Sequence, residues 1–319
     1  MHFVVPLALF ALGFFILIQG ANILIRGASS IARIFKLSPW FIGVVIVGIG
    51  TSIPEFSINI ASVFEGNIVG LAAIIGSNTF NILFILGISA LITPLVFKKE
   101  WIVRDLPLNI AAVLIAALVI LTPLLGDPSF HGISRLEGLV LTSLLFIWIA
   151  FMLGRQGTVH DGVDSQVFSW AVSVGFIIVG LVGVFLGGKW VVDGAGTIAT
   201  LLGVSPALVG FTAVAIGASM PELVVSVMAA LKRQSSIAIG NVIGSNIFDF
   251  LGILGITALL RPVPVVERLQ FDIFGTLGAT LLLILTALLI GKRHTLSRGE
   301  GMVFILIYIV YFGFLFIRG

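Results

Sequence analysis

The chain has no cysteine, and only 10% of its 319 residues are charged. The first absence rules out a fold that depends on disulfides. The second, with 59% hydrophobic residues and a mean hydropathy of +1.24, rules out a water-soluble domain. Histidine is also scarce. His2, His131, His160 and His294 all fall in loops or near ends, so no base is available for serine chemistry within the membrane, and an enzyme is not expected. Without cysteine or deep histidine, a zinc or copper site is disfavoured as well.

What remains is long apolar runs. They are read at 4 to 24, 39 to 64, 68 to 95, 107 to 125, 137 to 154, 167 to 188, 205 to 231, 236 to 260, 271 to 291 and 302 to 317. At about twenty residues each, these are helices rather than barrel strands. The expected fold is an all-α integral membrane protein with ten transmembrane helices. The first run lacks a basic leader and a cleavage signal, so it is expected to stay as a helix. Trp40, Trp101, Trp148, Trp170 and Trp190 lie near run ends and are expected to be interfacial anchors.

Lysine and arginine are uneven across the connections. One side would hold Arg26, Arg33, Lys36, Lys98, Lys99, Arg104, Arg155, Lys232, Arg233, Lys292, Arg293 and Arg298. The other would hold only Arg135, Lys189, Arg261, Arg268 and Arg318. Cytoplasmic loops retain positive charge, which places both termini outside a cytoplasmic membrane. This bias accounts for the net charge of +3 and leaves no reason to invoke nucleic acid.

The chain also repeats itself. "KLSPWFIGVVIVGIGTSIPE" at 36 to 55 aligns with "GVSPALVGFTAVAIGASMPE" at 203 to 222, with nine identities, and "GSNTFNILFILGISALITPL" at 76 to 95 with "GSNIFDFLGILGITALLRPV" at 244 to 263, with twelve. The expected organisation is a five-helix repeat over 1–153, a short linker over 154–166 and a second repeat over 167–319. Five is odd, so the second repeat would enter the membrane from the opposite face, an inverted topology recurrent among secondary transporters.

Glu55, Glu222 and Asp249 lie deep within apolar runs, and no lysine, arginine or histidine lies at that depth. A carboxylate there costs about 3 kcal/mol on insertion scales, so it needs a partner or a use. Its neighbours supply oxygen. Gly48, Thr51, Ser52, Glu55, Asn59 and Ser62 share one helical face; Ala215, Ala218, Ser219, Glu222 and Ser226 repeat it. Ser77 with Asn81, and Ser245 with Asp249, are each spaced i, i+4. Pro54 and Pro221 each remove an N–H, which predicts a bend and frees the carbonyls of Gly50 and Gly217. Such all-oxygen sets suit Ca²⁺, Mg²⁺, Na⁺ or Mn²⁺, and a flexible cage favours Ca²⁺.

The doublets "GTSIPE" with "GSNTFN" and "GASMPE" with "GSNIFD" resemble the alpha repeats of the cation/Ca²⁺ antiporter superfamily, in its Na⁺/Ca²⁺ exchanger branch. The resemblance implies an antiporter with Na⁺ and Ca²⁺ as transported ions and no cofactor. It implies that Glu55 and Glu222 are central Ca²⁺ ligands, helped by the carbonyls of Thr51 and Ala218. Ser52, Ser77, Ser219, Ser245 and Asp249 would line flanking Na⁺ sites, with Asn81 opposite Asp249 and the carbonyls of Gly48 and Ala215 at the outer positions. The first and sixth helices would slide across the core. Two positions depart from the family pattern: Ala218 replaces the usual threonine, and Gly48 replaces a small side chain. Three carboxylates could balance three Na⁺, or Ca²⁺ plus a proton on Asp249; with that proton retained, one cycle moves three positive charges one way and two the other, so exchange is expected to be electrogenic. H⁺/Ca²⁺ exchange and K⁺-dependent exchange are the alternatives.

Overall fold

The computed structural model describes residues 4–122, 124–125, 130–154, 167–202, 217–266, 268–289 and 294–318. The linker expected at 154–166 therefore lies outside the described residues except for Gly154, as does the first part of the run at 205 to 231. The described chain is almost entirely helical. Its helices are α1 (Val4–Ile34), α2 (Pro39–Thr51), α3 (Ile53–Glu65), α4 (Val69–Ile92), α5 (Trp101–Leu121), α6 (Arg135–Leu153), α7 (Trp170–Leu201), α8 (Met220–Leu231), α9 (Ser235–Leu260), α10 (Arg268–Leu289) and α11 (Arg298–Arg318). Among the described residues eight helices are long and apolar enough to cross a membrane, and the bent pair α2–α3 makes a ninth span.

Two helices exceed expectation. The first and sixth runs end just before the first charged residues, Arg26 and Lys189, yet α1 continues to Ile34 and α7 to Leu201. A helix needs only its backbone ladder, so it can pass through Arg26 or Lys189 and run on beyond the length that the hydrocarbon core requires. These two helices pack antiparallel along their length. Gly13, Gly20 and Gly27 of α1 meet backbone of α7, and Gly180 and Gly194 of α7 meet backbone of α1, so closely that any side chain would collide. Small residues allow this approach where lipid gives no hydrophobic drive between helices.

The core is α2–α3, α4, α8 and α9, flanked by α5, α6, α10 and α11. Two short antiparallel ladders tie its ends. β1 (Leu95–Val96), after α4, pairs with β4 (Thr295–Leu296), before α11; β3 (Val263–Pro264), after α9, pairs with β2 (Gly132–Ile133), before α6. Each ladder joins one half of the chain to the other. The arginines beside them follow the same rule: Arg135 donates to the Leu260 carbonyl at 3.4 Å, and Arg298 to that of Ile92 at 3.3 Å. Ser134 caps α6 in a box with Glu137, whose carboxylate also accepts the N–H groups of Leu124 at 2.8 Å and Leu125 at 3.1 Å.

The aromatic expectation needs correction. Trp40, Trp101 and Trp148 are buried, and the first two stack at 4.3 Å between centroids, with Lys98 over Trp101. They pack helices together instead of anchoring a lipid interface. Trp170 is exposed, as an anchor would be. Burial also reaches acids outside the three deep positions: Asp105 is covered and paired with Arg104, and Glu137 is covered by the cap it makes.

Candidate functional site

The bend expected from Pro54 is present, and it is a clean break. α2 and α3 meet at 41°, with Ser52 between them at φ −81°, ψ 8°. Ser219, before α8, has nearly the same backbone, φ −89°, ψ 8°. Proline at the second position of each following helix lacks the N–H that would continue the ladder, so the serine steps out of helical geometry. Each break places its glutamate in the first turn of a helix within the protein interior.

Glu55, Glu222 and Asp249 are at most 1% exposed. The two glutamates are cross-linked through the breaks: Ser219 Oγ donates to Glu55 Oε1 at 3.2 Å, and Ser52 Oγ to Glu222 Oε1 at 3.3 Å. Each half therefore holds the carboxylate of the other. Asp249 Oδ2 accepts Asn78 Nδ2 at 2.8 Å and Ser77 Oγ at 3.4 Å. On α2, the Gly48 carbonyl accepts Thr51 Oγ1 at 3.2 Å and Ser245 Oγ at 3.1 Å. α4 and α9 each open into a π-helical turn, at Asn81–Ile85 and Phe248–Ile253, beside Asn81 and Asp249. Such widened turns recur at functional sites.

Half of each carboxylate is left over. Glu55 Oε2, Glu222 Oε2 and Asp249 Oδ1 are buried without a hydrogen-bond partner, as is Asn81 Oδ1. Buried polar atoms are rarely left so, because each forfeits its hydration without replacement. With Asn78 Oδ1, which is also buried without a partner, these make five orphaned oxygens, three of them from carboxyl groups, an environment for cations. Among the described residues no three histidine, cysteine, aspartate or glutamate side chains converge to hold a metal alone. A bound ion would therefore need hydroxyl and carbonyl oxygens as well.

Glu55, Glu222, Ser52, Ser219, Thr51, Ser245, Gly48, Ser77 and Asp249 are brought together as described, and Ala218 is buried beside Ser219. Ala215 lies outside the described residues. Asn81 bonds to Asn246 at 3.0 Å. Gly48 also has a packing reason: a Cβ there would lie 2.8 Å from Ser245 N and 3.0 Å from the Gly244 backbone. The small residue lets α2 lie directly on α9.

Sequence reasoning missed three asparagines. Asn78 and Asn246 bond to Asp249 and Asn81, and Asn241 accepts Thr51 Oγ1 at 3.0 Å while donating to the Glu222 carbonyl at 3.2 Å. The signal for the first two was available, since both are the third letter of the doubled "GSN". Next to the site, a cleft of about 180 Å³ runs between the break and α7, lined by Gly50, Thr51, Pro54, Leu181, Phe185 and Pro221.

Known proteins match the chain over nearly its whole length. The family model described as sodium/calcium exchanger protein matches residues 5–154 and 172–317. The sodium/calcium exchanger MaX1 of Methanosarcina acetivorans is 28% identical, the match covering 96% of this chain and 97% of the relative. An uncharacterized membrane protein of Methanocaldococcus jannaschii, MJ0091, is 33% identical over 94% of this chain and 95% of its own. The sodium-calcium exchanger NCX_Mj, soaked with 10 mM Na⁺ and zero Ca²⁺, superimposes with a TM-score of 0.84 at 31% identity, covering 98% and 99% of the two chains.

Proposed function

The chain belongs to the sodium/calcium exchanger family, a family of transporters and not of enzymes, and from that membership we propose that it exchanges Na⁺ for Ca²⁺ by alternating access. It is a multi-pass membrane cation/Ca²⁺ antiporter. The observation that carries the finer reading is the set of orphaned carboxyl oxygens on Glu55, Glu222 and Asp249. In this reading Glu55 and Glu222 ligate Ca²⁺ with the carbonyls of Thr51 and Ala218. Ser52, Ser77, Ser219, Ser245, Asn81 and Asp249 serve Na⁺, with the carbonyls of Gly48 and Ala215 at the outer positions.

The architecture proposed is ten spans in two inverted five-helix repeats, 1–153 and 167–319, with both termini outside. The exchanged ladders and the paired arginine contacts support it, because each feature of one half recurs with its partners swapped. Gating is assigned to α1 and α7. Their shared glycine seam supports movement as a pair, and α7 covers both breaks, with Leu181 over Gly50 and Val192 over Gly217.

Charge counting gives an electrogenic cycle. Three Na⁺ carry three charges on one stroke and Ca²⁺ carries two on the other, the proton that neutralises Asp249 being retained through the cycle and not carried across the membrane. Purified protein in vesicles tests the coupling: a Na⁺ gradient should drive Ca²⁺ uptake, and an imposed membrane potential should change its rate. Uptake driven by a pH gradient alone, or only when K⁺ is present, would refute Na⁺-for-Ca²⁺ exchange.

A further inference from the structure

Each half of the chain carries Gly-Ser-Asn, and the asparagines, Asn78 and Asn246, are fully buried. Asn78 uses both amide hydrogens: Nδ2 donates to the Ile74 carbonyl one turn back and to Asp249 Oδ2, each at 2.8 Å. Asn246 does the converse, accepting Asn81 Nδ2 on its Oδ1 at 3.0 Å. Asn81 and Asp249 are equivalent positions of the two motifs. Each asparagine thus holds the residue at that position in the other half.

The polarity is reversed for a chemical reason. A carboxylate only accepts, so Asp249 requires a donor; the Asn81 amide offers both a donor and an acceptor, and which end faces the site depends on what holds the other. An acceptor at Asn246 takes the Asn81 nitrogen, leaving Asn81 Oδ1 buried without a partner, as Asp249 Oδ1 is. Were the Asn81 amide turned round, an NH₂ group would stand where a cation needs oxygen.

We propose that Asn78 and Asn246 are positioning residues of the ion site, which clamp one atom of Asp249 and of Asn81 and so turn Asp249 Oδ1 and Asn81 Oδ1 toward the transported ions. The proposal rests on the exchanger reading above and extends it to two residues outside the ligand set named there. It requires opposite hydrogen-bond roles at two equivalent positions. A packing role would make no such distinction.

The test substitutes each asparagine with leucine and with aspartate, and reads the Na⁺ concentration for half-maximal exchange together with the melting temperature in detergent. Leucine removes the hydrogen bond at either position and should raise the half-saturating Na⁺ by about tenfold at Asn78, whose bond is to a carboxylate, and by about fivefold at Asn246, whose bond is amide to amide. Asn246→Asp keeps the acceptor and should recover most of that loss. Asn78→Asp sets an acceptor against Asp249 and should be no better than leucine. Should Asn78→Asp fail to fold, the double variant Asn78→Asp with Asp249→Asn, which restores one donor facing one acceptor, should fold again. Rescue by aspartate at both positions, or at neither, would overturn the proposal. Wild-type vesicles without Na⁺-driven Ca²⁺ uptake would instead refute the exchanger reading, and the melting temperatures would still report the hydrogen-bond roles.

Discussion

Gly244→Ala tests the seam on which the site is built. A Cβ at this position would overlap the Val44 carbonyl oxygen and lie 2.6 Å and 2.7 Å from the Val44 C and Cα atoms. These are backbone atoms of α2, so no rotamer change can make room, and α2 must part from α9 by roughly 1 Å. Across the same seam run the contacts from Ser245 Oγ to Gly48 at 3.1 Å and from Thr51 Oγ1 to Asn241 at 3.0 Å. Parting would stretch both beyond hydrogen-bonding range. Overpacking costs about 1–3 kcal/mol and each lost buried hydrogen bond about 1 kcal/mol, offset by about 1 kcal/mol for alanine in a helix. A net loss of about 2–4 kcal/mol lowers the melting temperature by roughly 3–6 °C in a chain this long. Gly240→Ala is the graded control: its nearest contacts would be 3.1 Å and 3.2 Å, which need only a few tenths of an ångström. Melting in detergent and the half-saturating Ca²⁺ for transport measure both effects. A Gly244→Ala protein that melts within a degree of wild type with unchanged Ca²⁺ dependence would refute the reasoning.

Three other outcomes are expected. Replacing Glu55 or Glu222 with glutamine removes one charge from a site that must offset two, so Ca²⁺ flux in vesicles should vanish in either; normal flux in one would exclude that residue as a ligand. Lys232, just past the end of α8, has its pKa pushed down to about 8 by burial and, to a smaller extent, by Arg26. A lysine lowered on folding destabilises while charged, so the cost is complete below about pH 8 and fades toward 10.5. Lys232→Gln should therefore melt higher than wild type at pH 7 with a smaller gap at pH 10, and a gap equal at both would contradict this. Glu137→Ala leaves the N–H groups of Leu124, Leu125 and Ser134 without their acceptor and should cost about 2–4 kcal/mol in stability, while the Ca²⁺ dependence of transport stays as in wild type. A melting temperature equal to wild type would show that the cap contributes nothing.

The carboxylates were legible in the sequence because a charge inside an apolar run stands out, and the doubled motif located their hydroxyl neighbours. Pro54 and Pro221 announced a bend, though not that Ser52 and Ser219 would leave helical geometry altogether. Hydropathy reports depth along the membrane normal and nothing about sideways cover. That is why Trp40 and Trp101 read as interfacial while they stack in the interior, and why Asp105 and Glu137, at run ends, did not read as buried. Asn78, Asn241 and Asn246 escaped because a neutral amide carries no charge that demands a partner, so nothing in the run marks it as part of a site. Their roles depend on donor and acceptor direction across the two halves, which only the folded chain defines.

The central claim is that Glu55 and Glu222, one from each half, form a single Ca²⁺ site for which Na⁺ competes. Equilibrium binding of radioactive Ca²⁺ to the purified protein in detergent tests it directly, with Na⁺ titrated against the bound Ca²⁺. The wild type should bind Ca²⁺ saturably and release it as Na⁺ rises, and Glu222→Gln should bind none at the same Ca²⁺ concentrations. Binding that survives Glu222→Gln, or that Na⁺ does not displace, would contradict the account.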